Sequence, residues 1–335
     1  MPRQESRTGS NVVQENILMN VASVLPIALA WCIDLLLGDP PNRFHPVAYM
    51  GQVIALAKRF APRNPGRGRL FYGGAVVAGG CIMSFWAGRF IVSALTRLPI
   101  PFRWLGEAVL LKMLFSLSGL LKAAHQIQQA LERDDLDAAR RLVRWHLVSR
   151  DTSRLSAAHV AAATIESIAE NACDGVVAPL LYYALGGLPA ALTYRFVSTC
   201  DSMWGYRDAE HEWLGKAAAR LDDLLNLLPA RLTALLIVLA SWLLGEDAST
   251  AWCIWRRDAA TTASPNAGHP MSAMAGALGV ELEKIGHYRL GCGLRQPQTQ
   301  DIHRAMRLTA VCCGLATLLV AILTGLLHRR PGDAR

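Results

Sequence analysis

The stretch Glu166-Ser-Ile-Ala-Glu-Asn-Ala-Cys-Asp-Gly175 sets three carboxylates and an amide directly before an apolar run, residues 176–194. At helical pitch Glu166, Glu170 and Asp174 recur at i, i+4 and i+8, so they share one face, with Asn171 just beside it. Such a face can hold a metal ion or a cationic substrate; the plainer alternative is a solvated helix end with acids near its cap. A second string, Ala219-Arg-Leu-Asp-Asp-Leu-Leu-Asn226, spaces Asp222, Asp223 and Asn226 so that three oxygens can face one point. Hard oxygen ligands of this kind suit Mg²⁺ held against a phosphate. A capped helix start paired with Arg220 and Arg231 is the alternative. Three more polar strings accompany these. Gly38-Asp-Pro-Pro41 with His45-Pro46 is a proline-stiffened loop in which Asp39 can act as ligand or base, or simply turn the chain at a membrane exit. Thr199-Cys-Asp-Ser-Met-Trp-Gly-Tyr-Arg207 places Asp201 between Arg195 and Arg207, an arrangement that binds anions or forms a structural ion pair. The fifth is the turn-forming Ser264-Pro-Asn-Ala-Gly268, ahead of a small-residue helix at 271–278.

The elements that must position these groups are apolar. Of 335 residues 52% are hydrophobic and 18% charged, the composition of a chain that faces lipid. Runs of about 17 to 25 apolar residues, enough to cross hydrocarbon, occupy 17–37, 70–95 and 306–327, with a shorter one at 104–121. The first is read as a retained span and not a cleaved signal, because it continues past Ala28-Leu-Ala30 into the Asp39 loop. Two runs are interrupted: 176–197 by Pro179, Pro189 and Arg195, and 224–244 by Pro229 and Arg231. A full crossing by 176–197 would leave its flanking motifs ~30 Å apart on opposite faces, and 232–244 is the length of a non-spanning helix. Both are expected to be buried, broken or re-entrant, which gathers the polar motifs on one face.

Arginine supplies most of the charge behind the net +8, with clusters at Arg59, Arg63, Arg67 and Arg69 and along 133–154. Arginine-rich loops stay cytoplasmic. No basic and aromatic interleaving or nucleic-acid motif occurs, which argues against a nucleic-acid partner. The eight cysteines contain no C-x-x-C and the nine histidines no H-E-x-x-H, so zinc is not expected. Sustained β alternation is missing. The expected fold is therefore all-α: a polytopic integral membrane helical bundle forming one domain over 1–335. Cytoplasmic helical segments are expected at 120–175, with aspartates 134, 135 and 137 starting a new helix, and a cytoplasmic loop and helix region at 246–305.

In order along the chain, Asp34-Leu-Leu-Leu-Gly-Asp-Pro-Pro41 with His45-Pro-Val47, Arg150-Asp-Thr152, the Glu166 string through Pro179, Asp201-Ser-Met203 with Gly205-Tyr206, the Ala219 to Asn226 string with Pro229-Ala-Arg231, and Ser264-Pro-Asn-Ala-Gly268 resemble the CbiB/CobD family of cobalamin biosynthesis, the adenosylcobinamide-phosphate synthases. The resemblance covers most of the chain, about 34–291. It departs at Ser198, where the family more often has asparagine, and at Cys200 in place of leucine; Asp201 is kept. What the resemblance implies is a ligase that joins the free propionate of adenosylcobyric acid to aminopropanol or its phosphate, with ATP as driving force and Mg²⁺ on the phosphates. The arginine clusters and the need to gather the motifs at one site place that site at the cytoplasmic face of the cell membrane. Other enzymes of that pathway and a second copy of the chain are the protein partners to be expected.

Within that scheme Asp201, Glu166 and Asp174 are the catalytic candidates, Asp201 first as the group that orients or deprotonates the amine. Asp222, Asp223 and Asn226 are assigned to metal. Arg195, Arg207, Arg220 and Arg231 are assigned to anions, Asn266 to a corrin amide or a phosphate, and Asp39, His45, Asn171 and Ser264 to the substrate site around them. No G-x-x-x-x-G-K-[ST] or G-x-G-x-x-G string occurs, so a nucleotide site must be of another design. Two rival readings stay open. One is a membrane prenyltransferase using the aspartate-rich string for a diphosphate, although a second such repeat is missing. The other is a corrinoid transporter or binding protein whose acids line a pathway.

Overall fold

Backbone groups in lipid must be satisfied within their own segment, and the apolar runs accordingly fold as helices. The computed structural model describes residues 24–64, 66–148, 150–206 and 208–327; the start of the first apolar run and Arg207 lie outside them. Helix α1 (Val24–Leu37) is followed by α2 (Pro46–Arg59), α3 (Arg67–Leu95), α4 (Ile100–Lys112), α5 (Leu117–Glu132), α6 (Leu136–His146) and α7 (Ala157–Ala172). A π-helical turn, Cys173–Val177, joins α7 to α8 (Ala178–Trp204). Then come α9 (Lys216–Leu225), α10 (Leu227–Leu244), α11 (Ala248–Asp258), α12 (Gly268–Leu278), a hairpin of β1 (Leu282–Lys284) and β2 (Tyr288–Leu290), and α13 (Thr299–Leu327). Among the described residues five helical runs are long and apolar enough to cross a membrane: Arg67–Leu95, Ile100–Glu132, Ala157–Trp204, Leu227–Leu244 and Thr299–Leu327. The protein is an all-α polytopic membrane protein.

Local chemistry explains where the elements begin. Side chains of Ser116, Asp135, Ser156 and Asp247 accept backbone N–H groups at the starts of α5, α6, α7 and α11. The run 176–197 is broken as expected, but by glycine and not by proline: Gly186 and Gly187 leave helical geometry inside α8, Gly187 with φ 65°. Helix α3 lies against this break, where a Cβ on Gly88 would stand 2.6 Å from the Pro189 backbone. The chain therefore doubles back, and the Tyr194 hydroxyl reaches the Asp174 carbonyl at 3.4 Å.

One expectation is corrected, that the run 224–244 is interrupted. Leu227–Leu244 is one continuous helix, long enough to cross. Pro229 is its third residue, where an N–H has no intrahelical partner to lose, and Arg231 turns back to donate to the Leu227 carbonyl at 2.8 Å. The run 104–121 is divided between α4 and α5. A small antiparallel hairpin pairs Leu282 with Leu290 and Lys284 with Tyr288, in strands too short to show alternation.

Three apolar cores hold the helices together. One joins α5, α6, α7, α10, α11, α12 and the first half of α13; a second joins α1, α4, α8 and the end of α13; a third joins α2, α3, the end of α8 and α9. The acids of α7 and α8 sit where these cores meet: Ala169 belongs to the first, Ala172 and Val176 to the second, and Cys200 to the third.

Candidate active site

Five carboxylates converge on one cavity. Glu170 comes from the last turn of α7, Asp174 from the π turn, Asp201 from the last turn of α8, and Asp222 and Asp223 from α9; together they line a space of about 250 Å³. The π turn adds a residue to the helical turn, a distortion that recurs at functional sites and here carries Asp174. The loop before α12 closes the cavity with Ser264 and Asn266. The Asn266 amide nitrogen donates to the Asp223 carbonyl at 2.7 Å. The Ser264 hydroxyl accepts from the backbone N–H groups of Asn266 and Ala267, so it shapes the loop. Among the described lining residues there is no lysine, arginine or histidine.

Asp222 is held by a relay of side chains. Asn226 donates its amide to one Asp222 oxygen at 2.9 Å and accepts from the Tyr194 hydroxyl at 2.9 Å. Tyr182 stacks on Tyr194 with ring centroids 4.9 Å apart and donates to the Leu225 carbonyl. Asn226, expected among the metal ligands, lines the cavity with its oxygen engaged by Tyr194 and its amide on Asp222. The other Asp222 oxygen, Oδ1, is buried without a partner, and so is Oδ1 of Asn266. Burial and then the charge of Asp201 push the Asp222 pKa up to about 7, against the hydrogen bond from Asn226 that favours its ionised form.

The remaining candidates divide. Arg195 donates to the Asp174 carbonyl at 3.3 Å, and its buried Nε is unpartnered. Arg220 is exposed, 3.8 Å from Asp223, and with Lys216 lines an adjoining space of about 250 Å³ that shares Gly205, Ala219 and Asp223 with the first. Glu166 is one turn too far along α7; it faces Arg150 at 4.0 Å and its Oε1 has no partner. Asn171 donates back to the Ser167 carbonyl and does not line the cavity. Arg231 does not line it either. Asp39 and Asp34 both bind the buried Lys112, and Ser116 donates to Asp39 at 2.5 Å. Burial opposes ionisation of Asp39, but the bonds from Lys112 and Ser116 hold its carboxyl below its usual range. His45 caps α2 by accepting from the Val47 N–H, and burial, partly offset by Asp39, lowers its pKa. Sequence reasoning missed Lys112, Tyr194 and Lys216. A signal existed for Lys112, since a lone lysine inside Leu110-Leu-Lys-Met-Leu-Phe115 requires a buried acid nearby.

The family model described as CobD/Cbib protein matches residues 27–309, a span that holds every one of these groups. The chain belongs to the CobD/CbiB family. It is 48% identical over 279 residues to the cobalamin biosynthesis protein CobD of Dehalococcoides mccartyi, covering 82% of this chain and 90% of that one. It is 41% identical over 325 residues to the CobD of Chromobacterium violaceum, covering 92% and 100%. Against the cobalamin biosynthesis protein CbiB of Salmonella typhimurium it is 36% identical over 317 residues, covering 91% and 98%. No solved structure matches the chain.

The donor set decides what this family member's cavity can hold. Among the described residues no group of three or more His, Cys, Asp or Glu side chains is placed to hold a metal ion on its own. The cavity is instead an open acidic cradle with two bare buried oxygens, one on Asp222 and one on Asn266. This fits Mg²⁺, which uses a few protein oxygens and completes its shell with water and phosphate. Ligand sites in general enclose about 300–1,000 Å³. A space of about 250 Å³ lies just below that range.

Proposed function

We propose that this protein acts in cobalamin biosynthesis as an ATP-dependent ligase. It joins the propionate of adenosylcobyric acid to (R)-1-aminopropan-2-ol or its O-phosphate, with the acidic cavity at the cytoplasmic face of the cell membrane. The observation that carries this reading is the acidic cavity beside a space lined by Lys216 and Arg220, in a chain whose relatives bear cobalamin biosynthesis names. A bare carboxylate and an amine at neutral pH form a salt, so amide formation requires activation. Phosphoryl transfer from ATP to the propionate gives an acyl phosphate and ADP; the amine nitrogen then attacks the acyl carbon and phosphate leaves. Mg²⁺, when bound, supplies neutralisation of phosphate charge. Asp222, oriented by Asn226 and Tyr194, and Asn266 would hold it. Lys216 and Arg220 would receive phosphate oxygens. Asp201, on the wall shared by both spaces at Gly205, holds the incoming ammonium and takes its proton.

The test incubates the purified full chain with adenosylcobyric acid, ATP, Mg²⁺ and each amine in turn, and follows products by mass spectrometry together with phosphate release. The expected result is amide and phosphate formed in equal amounts with one of the amines. Amide formed without ATP, or none with either amine, overturns the assignment.

A further inference from the structure

Helix α2 has 14 residues, ~21 Å at 1.5 Å per residue, too short to cross hydrocarbon. One of its faces is covered. Ile54 is buried, and with Met50 and Ala57 it packs against Phe196 and Trp204 of α8 in the third core. Another face is bare and apolar: Tyr49, Val53, Leu56 and Phe60 recur at i, i+4, i+7 and i+11 and are 52%, 52%, 52% and 71% exposed. Along this stretch of the sequence the charge is of one sign. From Asp39 to Glu107 the sequence contains no carboxylate, and Arg59, Arg63 and Arg67 are exposed. Lys58, in the same stretch, is tied to Glu210 at 2.9 Å in the loop that joins α8 to α9. The apolar stripe continues into a membrane span, because α3 begins at Arg67 and exposes Phe71 one turn later.

We infer that α2 lies flat at the membrane surface as a recognition element for anionic lipid. Its apolar stripe rests on acyl chains, and Arg59, Arg63 and Arg67 engage headgroup phosphates. Charge complementarity selects an anionic surface as occupant, and continuity with α3 fixes the depth. Because α2 packs on the last turns of α8, which carry Asp201, the lipid surface and the acidic cavity are held in one frame.

Photolabelling tests this on the full chain in nanodiscs that contain phosphatidylglycerol or phosphatidylcholine with a photoactivatable group near the glycerol. The expected result is adducts on α2 peptides, several-fold more from phosphatidylglycerol than from phosphatidylcholine. In the variant carrying Arg59→Gln, Arg63→Gln and Arg67→Gln that preference disappears, while labelling of α3 is unchanged. Labelled α3 with unlabelled α2 overturns the proposal, as do equal adducts from the two lipids. Chain-to-chain crosslinks at the stripe in place of lipid adducts would assign it to a second copy and equally overturn it. Should the variant not fold, the comparison of the two lipids on the unaltered chain decides alone. No readout depends on ligase activity, so this inference and the proposed reaction fail separately.

Discussion

Two of the carboxylate groups in this molecule differ in how the chain provides a counter-charge. Asp34 and Asp39 share Lys112, whose side chain is 2% exposed, and the Ser118 N–H and hydroxyl complete the bonding of Asp34. Glu170, Asp174, Asp201, Asp222 and Asp223 share a cavity with no basic lining residue among those described. The first group is a lock: its charges are already satisfied, and it ties the loop after α1 to the end of α4. The second has its cations only at the edge, Arg220 3.8 Å from Asp223 and Arg195 on the Asp174 carbonyl, and it leaves one oxygen each of Asp222 and Asn266 without a partner. Similar side chains thus sit in different surroundings, and a lysine buried among the first group is part of the difference.

The largest expected effect follows from emptying the second group of its function while leaving its shape. Asp222→Asn removes a charge from a crowded site, so turnover in the amide assay should fall by about 100-fold or more while the ligand-free protein melts no lower than the parent. A melting point that drops with activity would show Asp222 to be structural and would erase the contrast with Lys112. In the lock the reverse is expected. Lys112→Met strands Asp34 as a buried unpaired charge and should cost about 3–5 kcal/mol, read as a lower unfolding temperature in detergent. Adding Asp34→Asn should restore part of it.

Acid should separate the two groups by sign. The Asp222 pKa is raised from an ordinary 3.8 to about 7, so between these values the folded state binds more protons than the unfolded one. Its contribution to stability is then full below the ordinary value and is lost as pH rises towards about 7. Asp39 is shifted down, so its contribution is present above the ordinary value and is lost as pH falls through the lowered one. Unfolding scans of the ligand-free protein should show the first trend between pH 4 and 7, and Mg²⁺ should flatten it by replacing the proton. Removing Mg²⁺ with a chelator should restore the slope; a slope indifferent to Mg²⁺ would move the cation elsewhere. The smallest effect is expected of Tyr194→Phe, which loosens Asn226 behind Asp222. One hydrogen bond is worth about 0.5–1.5 kcal/mol, so the Mg²⁺ concentration for half-maximal rate should rise by up to about tenfold, with the rate at saturating Mg²⁺ retained.

The helices and part of the cavity were legible in the sequence, and the rest was not for identifiable reasons. The acids at i, i+4 and i+8 announced a shared helix face, and Glu170 and Asp174 do meet in the cavity; Glu166 does not, because the face extends beyond the space the other helices leave. The break in 176–197 was expected from the need to bring two polar motifs together, yet it falls at Gly186 and Gly187, where left-handed geometry is free of steric cost. Pro229 and Arg231 looked like interruptions of α10 and are not, since a first-turn proline breaks no bond.

Composition, apolar run length and helical periodicity by themselves determined that this is a membrane-spanning helical protein, and the order of its polar motifs pointed to its family. Those are properties of neighbouring residues, which the covalent chain places within a turn or two of each other. Only the tertiary structure decided which carboxylates acquire a cation: Lys112 meets Asp39 across 73 residues of sequence, and Tyr194 meets Asn226 across 32. It also decided that the Asn226 oxygen is engaged by the Tyr194 hydroxyl. Pairing of charges in a buried site depends on distance and on the burial around them, and neither is written in local sequence.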